Sequence, residues 1–221
     1  MIIAVDGPAA SGKGTLAAGL ARHYGLPHLD TGLLYRAVGL AVRDAVDTPA
    51  FEARAIAAAR TLDTASITHR DELQTADAGN LASRVAVIAE VREAMRQFQR
   101  AFAAQPGGAV LDGRDIGTVI CPDADAKLFI VADSRARAER RARQFEARGQ
   151  VVDREAIHAQ IEERDKRDRA NPNGAFYPAA DAHLLDTTDL DIDAAFRAAV
   201  DIVEAVRSGR EHGRPRSRHG G

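Results

Sequence analysis

Two rhythms of apolar and polar positions run along this chain. Short apolar runs bounded by glycine, proline or aspartate read as buried strands, and runs with apolar residues three and four apart read as helices. Strands are expected at residues 1–6, 26–30, 109–112, 127–132 and 183–186. Helical runs lie between them, at residues 15–24, 33–41 and 48–60 and after Asp133. Residues 80–104 carry Leu81, Val85, Ile88, Val91, Met95, Phe98 and Phe102 as one stripe, which predicts a single helix. Ser83 and Arg92 fall off that stripe, so the pattern alone turns them toward solvent, with a pocket as the other reading. Residues 62–79 are polar and irregular and read as part of an insert. A last helix from Asp191 places Ile192, Phe196, Val200 and Val203 on one face. Strands alternating with helices predict an α/β fold: a five-stranded parallel, doubly wound sheet with helices on both faces.

Composition narrows the class. The chain has 221 residues, 45% hydrophobic content and a formal net charge of -2, enough for a sizeable core in one compact domain with mobile inserts. It has no apolar run of about 18 residues and no charged-then-apolar leader, so a cytoplasmic protein with no membrane partner is expected. Cys121 is the one cysteine, which excludes an internal disulfide, and it reads as a packing or loop residue. The seven histidines show no zinc-ligand spacing. Residues 207–221 are rich in arginine, serine and glycine and are expected to form a disordered, solvated basic tail that needs no nucleic acid.

The most specific stretch is Gly7-Pro8-Ala9-Ala10-Ser11-Gly12-Lys13-Gly14-Thr15, between the first strand and the first helix. Strand, glycine loop and helix make a phosphate cradle. Backbone N–H groups turn inward, the helix N-terminus adds partial positive charge, and Lys13 supplies a cation for the β and γ phosphates of ATP or GTP. Gly14 stands where a Mg²⁺-holding hydroxyl is usual, and the hydroxyl comes one place later, at Thr15. That spelling belongs to small-molecule phosphoryl kinases rather than switch GTPases.

Other candidates sit at strand ends, where ligands of parallel α/β sheets bind. After the second strand, Thr31 can cap a helix or donate to a phosphate, and Arg36 can face a second phosphate or solvent. After the third come Asp112-Gly113-Arg114-Asp115, with Asp112 placed to orient Mg²⁺ or its waters and Arg114 to grip a phosphate; a structural turn is the other reading. After the fourth, two charged helices flank Gly149 and carry Arg137, Arg140, Arg164 and Asp168. They read as a lid, or as a solvated hairpin laced with ion pairs.

In order and spacing, residues 7–15, Leu29-Asp30-Thr31-Gly32-Leu33-Leu34-Tyr35-Arg36, Asp112-Gly113-Arg114-Asp115-Ile116-Gly117-Thr118 and Arg164-Asp165-Lys166-Arg167-Asp168 resemble the bacterial cytidylate kinases, from residue 1 to about 206. The resemblance implies a P-loop NTPase fold with a nucleoside-monophosphate-binding insert at about 48–104 and a helical lid at about 134–180. It also implies a monomer that uses Mg²⁺ and ATP to phosphorylate CMP and dCMP. By that resemblance residues 7–15 hold ATP with Arg137 and Arg140 nearby, and Thr31, Arg36 and Arg114 hold the acceptor phosphate. Ser83, Arg92 and Asp115 read cytosine, and Arg164 and Asp168 meet the ribose. Lys13, Arg114 and Arg164 are the catalytic cations. A kinase for another small acceptor would keep the glycine loop but not the Asp-Thr-Gly and Asp-Gly-Arg-Asp pair, and a nucleotide switch would carry a guanine-reading Asn-Lys-x-Asp, which is absent. Two departures stand out. Asn171 replaces a family arginine that meets the acceptor phosphate, so that either Arg167 or Arg169 substitutes or acceptor binding is weakened, and Asn173-Gly174-Ala175-Phe176-Tyr177 replaces an apolar-proline element. The insert around 62–79 is also shorter and less strand-like than usual.

Overall fold

The computed structural model describes residues 1–63, 67, 71–171 and 176–213. Its parallel sheet is built from β1 (Ile2–Asp6), β2 (His28–Asp30), β3 (Ala109–Gly113), β4 (Ala126–Val131) and β5 (His183–Asp186), in the order β2-β3-β1-β4-β5. The first strand is therefore central, as its unbroken apolar run requires. Alternation divides its side chains between two cores. Ile3 and Val5 join Leu16, Leu20, Leu128 and Ile130 under α1 (Lys13–Tyr24) and α8 (Ile192–Gly213), while Ala4 faces Leu111, Ile116 and Ile120 on the other side. Each fully buried aliphatic side chain there contributes about 1.5–3 kcal/mol.

A third core belongs to α2 (Thr31–Ala41), α3 (Phe51–Arg60), α4 (Ala76–Val85) and α5 (Ala89–Ala103). α4 and α5 correct the expectation of one helix over residues 80–104. The chain leaves helical geometry between Val85 and Ala89, yet the apolar period passes through the break in phase, because both helices bury their stripe in the same core. Among the described residues no strand lies between β2 and β3, in line with the irregular pattern; 64–66 and 68–70 lie outside the described residues.

α6 (Ser134–Glu146) and α7 (Arg154–Ala170) form the charged hairpin, with a small apolar cluster of Ala138, Ala142, Phe145, Ile157 and Ile161. Asp133 caps α6 and Asp153 caps α7. Ile192 is exposed, not part of the buried face expected for α8, because it stands at the first helical position beyond the edge of the core. α8 also continues past Arg207 to Gly213, into the stretch expected to be a tail; 214–221 lie outside the described residues, as do 173–175 of the altered lid element.

Candidate functional site

The loop after β1 is fixed on three sides. Gly7 passes so close to β4 that a Cβ there would stand 2.2 Å from the Ile130 carbonyl oxygen, which only glycine permits. Asp6 is buried, and its two carboxylate oxygens accept from the backbone N–H of Ile116 and Gly117, each at 2.8 Å, tying β1 to the single π turn Ile116–Ile120. Burial raises the Asp6 pKa to about 7, although the two N–H groups oppose the shift. On the third side, Arg137 Nη1 donates to Ala9 O at 3.2 Å, and Thr187 Oγ1 donates to Ser11 O at 2.9 Å. Arg140 donates to the Thr187 carbonyl and hydroxyl oxygens and, at 3.5 Å, to Ser11 O.

Lys13 opens α1, two residues earlier than the apolar rhythm indicated, because Gly12 at φ 92° supplies the left-handed turn into the helix. Its Nζ donates to Pro8 O at 3.3 Å. Burial and then the Arg114 guanidinium lower its pKa to about 7, against the pull of Asp112 and Asp30. A cation held against its own charge in this way is short of anionic partners.

Lys13 faces a cleft beyond the carboxyl ends of the strands. Its lining includes residues of the loop, Thr15, Thr31, Arg36, Ser83, Arg92, Asp112, Arg114, Asp115, Arg164 and Asp168, so one cleft gathers most of the residues singled out in the sequence. The Thr31 hydroxyl donates to Asp112 O at 2.8 Å, and Arg36 donates to the carbonyls of Leu73 and Thr75. Arg114 Nε donates to Asp168 Oδ2 at 2.7 Å. Burial pushes the Asp168 carboxyl up, but Arg114 and Arg164 more than offset this and hold it below the ordinary carboxylate range. Arg164 is buried, with Arg114, Arg36 and Arg141 outweighing Asp168 among the charges around it, and its Nε has no hydrogen-bond partner among the described residues.

Ser83 and Arg92 correct the expectation from pattern alone. Both are 7% exposed, and Arg92 makes a short buried ion pair with Asp115. Their side chains leave the apolar stripe to reach the cleft rather than water. Arg137 and Arg140 touch the loop backbone, and Arg137 is further bound to the Asp165 carboxylate at 2.6 and 3.1 Å and to Ala132 O. Asp112 is 2% exposed and held by His28 Nε2 at 2.7 Å.

Sequence reasoning missed His28, Asp6, Asp165 and Thr187. Thr187 directly follows β5, the strand-end position that marked the other candidates, so its signal was present; His28 and Asp6 announce nothing beyond a polar residue in an apolar run, and Asp165 is one charge among many in its helix. Cys121 is buried with its pKa raised to about 11 by burial, in keeping with a packing residue.

A glycine loop at the carboxyl end of a central parallel strand, opening a helix and facing a cationic cleft, defines the P-loop class of phosphate-handling α/β proteins. The family described as Cytidylate kinase matches residues 3–205. The chain belongs to the cytidylate kinase family. Proteins named cytidylate kinase from Bradyrhizobium diazoefficiens, Nitrobacter winogradskyi and Xanthobacter autotrophicus are 54%, 56% and 58% identical to it. The alignments cover 96%, 95% and 95% of this chain and 100% of each relative. A crystal structure of an uncharacterized protein from Eubacterium ventriosum superposes with a TM-score of 0.53 at 17% identity, over 94% of this chain and 98% of that one, a likeness of fold alone. No described helix is long and apolar enough to cross a membrane.

Proposed function

We propose that this chain transfers the γ-phosphoryl group of ATP to the phosphate of CMP and dCMP, giving ADP and CDP or dCDP, and that it acts as a monomer in the cytoplasm. The observation that carries the reading is that one cleft is lined by the Lys13 loop, by the cations of Arg36, Arg114 and Arg164, and by the Arg92–Asp115 pair. Family membership supports it. One chain supplies every group named here, so no second copy is needed.

Residues 7–15 cradle the ATP phosphates, Lys13 meets their outer oxygens, and Arg137 and Arg140 fix the loop backbone from behind. The acceptor phosphate meets Arg36, Arg114 and Thr31. Arg92 and Asp115 present donors and acceptors to the cytosine edge beside Ser83, and Arg164 and Asp168 meet the ribose as α6 and α7 cover the cleft as a lid. The α2–α5 unit serves as the acceptor-binding insert.

Mg²⁺ suits the donors present. The Thr15 hydroxyl and the Asp112 carboxylate are hard oxygen ligands, and Gly14 leaves room between loop and carboxylate, since a Cβ there would stand 3.7 Å from Asp112 Oδ2. Among the described residues no group of three or more His, Cys, Asp or Glu could hold a metal, so the ion would arrive on the nucleotide with its waters. When bound, it shields charge on the β and γ oxygens.

The acceptor is already an anion, so no general base is required. An oxygen of the CMP phosphate forms a bond to the γ-phosphorus as the bond to the β–γ bridging oxygen breaks, and ADP leaves with that electron pair. The chain's own residues hold the two anions in line and offset their repulsion. The test is ADP release with Mg²⁺-ATP and CMP, dCMP, UMP, AMP or GMP supplied singly. Strong turnover with CMP and dCMP alone is expected, and preference for another acceptor, or turnover indifferent to acceptor, would overturn the proposal.

A further inference from the structure

We infer that Arg141, on α6, is a further contact for the acceptor phosphate and supplies the positive charge that Asn171 lacks. The inference rests on the transfer proposed above.

Asn171 does not leave its place empty. Its Nδ2 donates to Ala86 O at 3.1 Å, joining the end of α7 to the break between α4 and α5, but an amide brings no charge. Neither nearby arginine replaces one. Arg169 has a side chain 65% exposed and lies 3.9 Å from Asp165, and Arg167 does not line the cleft.

Arg141 does line it, on the face of α6 that also carries Gln144 and Phe145. Arg137 is one turn earlier and is committed to Asp165 and the loop; Arg141 is not committed in that way. It lies over the Phe145 ring, 4.6 Å from the centroid, and donates to Gln144 Oε1 at 3.3 Å, contacts that orient the guanidinium without neutralising it. The charges of Arg36 and Arg148 act on it, and it and Arg164 repel each other. Burial first, and then Arg36 and Arg148, lower its pKa to about 10. Arginines drawn together along one cleft fit an anion that binds between them.

The neighbours also say which anion. Arg36 donates to the carbonyls of Leu73 and Thr75, and Arg148 donates to the carbonyl of Gln74 between them, so these two guanidinium groups meet at the short stretch that leads into α4. Arg141 lines the same cleft and feels the charge of both, on the side where the acceptor phosphate is proposed to bind. The phosphate it meets is the acceptor's, not the outer phosphate of ATP.

Arg141→Met keeps an unbranched apolar stem against Phe145 and removes the charge. In steady-state assays it should raise the KM for CMP by about 10- to 100-fold, the range of a charge-assisted hydrogen bond, and leave the KM for ATP within about twofold. The melting temperature without ligand should hold or rise, because repulsion with Arg36 and Arg148 is relieved. Adding Asn171→Arg to Arg141→Met should return the KM for CMP to within about threefold of wild type. An unchanged KM for CMP, a rise confined to ATP, or a fall in ligand-free melting temperature would each overturn the inference. Thermal stabilisation by inorganic phosphate, expected for wild type and reduced in Arg141→Met, needs no turnover. If wild type fails to use CMP, the proposed function fails, and the phosphate result alone decides the role of Arg141: equal stabilisation of both proteins refutes it.

Discussion

The sheet and the α6–α7 hairpin are held by opposite means. Ile3, Val5, Leu111 and Ile130 are completely buried in an apolar interior, and nothing about a bound anion changes what they contact. The hairpin has only a small apolar cluster, packed against Ala10 and Ala76; Arg137 with Asp165 joins its two helices, and it meets the core through Arg137 with Ala9, Arg140 with Thr187, and Arg114 with Asp168. Apolar burial fixes the platform whether or not ligand is present. Charged contacts, by contrast, depend on the charge around them, so the part of the molecule that delivers arginines to the cleft is the part a polyanion can stabilise.

The sharpest break of this contrast removes function without touching the platform. Lys13→Ala should lower turnover by about 10²- to 10³-fold, the scale for losing a fixed electrostatic partner of the transferring group, with the circular dichroism spectrum and melting temperature retained. Near-normal turnover would detach the loop from the chemistry.

Next in size are two substitutions of similar cost in different places. Arg137→Met leaves the buried Asp165 carboxylate unpaired and should cost about 3–5 kcal/mol, seen as faster proteolysis between α6 and α7, while Arg137→Met with Asp165→Leu should regain most of the loss. Leu111→Ala should cost about 2–5 kcal/mol, seen as a lower midpoint for unfolding of the whole chain. If both variants unfolded identically, the two regions would not differ as described.

The smallest effect is a proton. Lys13 is largely neutral at pH 8 when its pKa lies near 7, and an ATP phosphate beside it favours the charged form, so binding at pH 8 should take up as much as about one proton and at pH 6 almost none. Calorimetry in buffers of different ionisation enthalpy measures this. The same depressed pKa means that between about 7 and 10.5 the unfolded chain binds more protons, so this group makes the ligand-free protein more stable as pH rises through that window.

Much of the platform was legible because its signals are local. A strand, a glycine loop and a helix follow one another at residues 2–24, and Thr31, Arg36 and Arg114 lie at or after strand ends. The break between α4 and α5 was hidden, since an apolar period records which face is buried and not whether the backbone is continuous. Ser83 and Arg92 were misplaced by pattern because a helix can be buried on a second, polar face when another element covers it. The Arg137–Asp165 pair was illegible for a related reason: in a run of charges, spacing does not distinguish a buried partner from a solvated one.

The claim that charge holds the hairpin to the core is tested most directly by amide hydrogen exchange on the intact protein. The comparison is between free protein and protein with CMP and a non-hydrolysable ATP analogue. Exchange in α6, α7 and the first turns of α4 should slow on binding, while β1, β3 and β4, already protected, should change little. Unchanged exchange in the hairpin, or slowing spread equally through the sheet, would contradict the account.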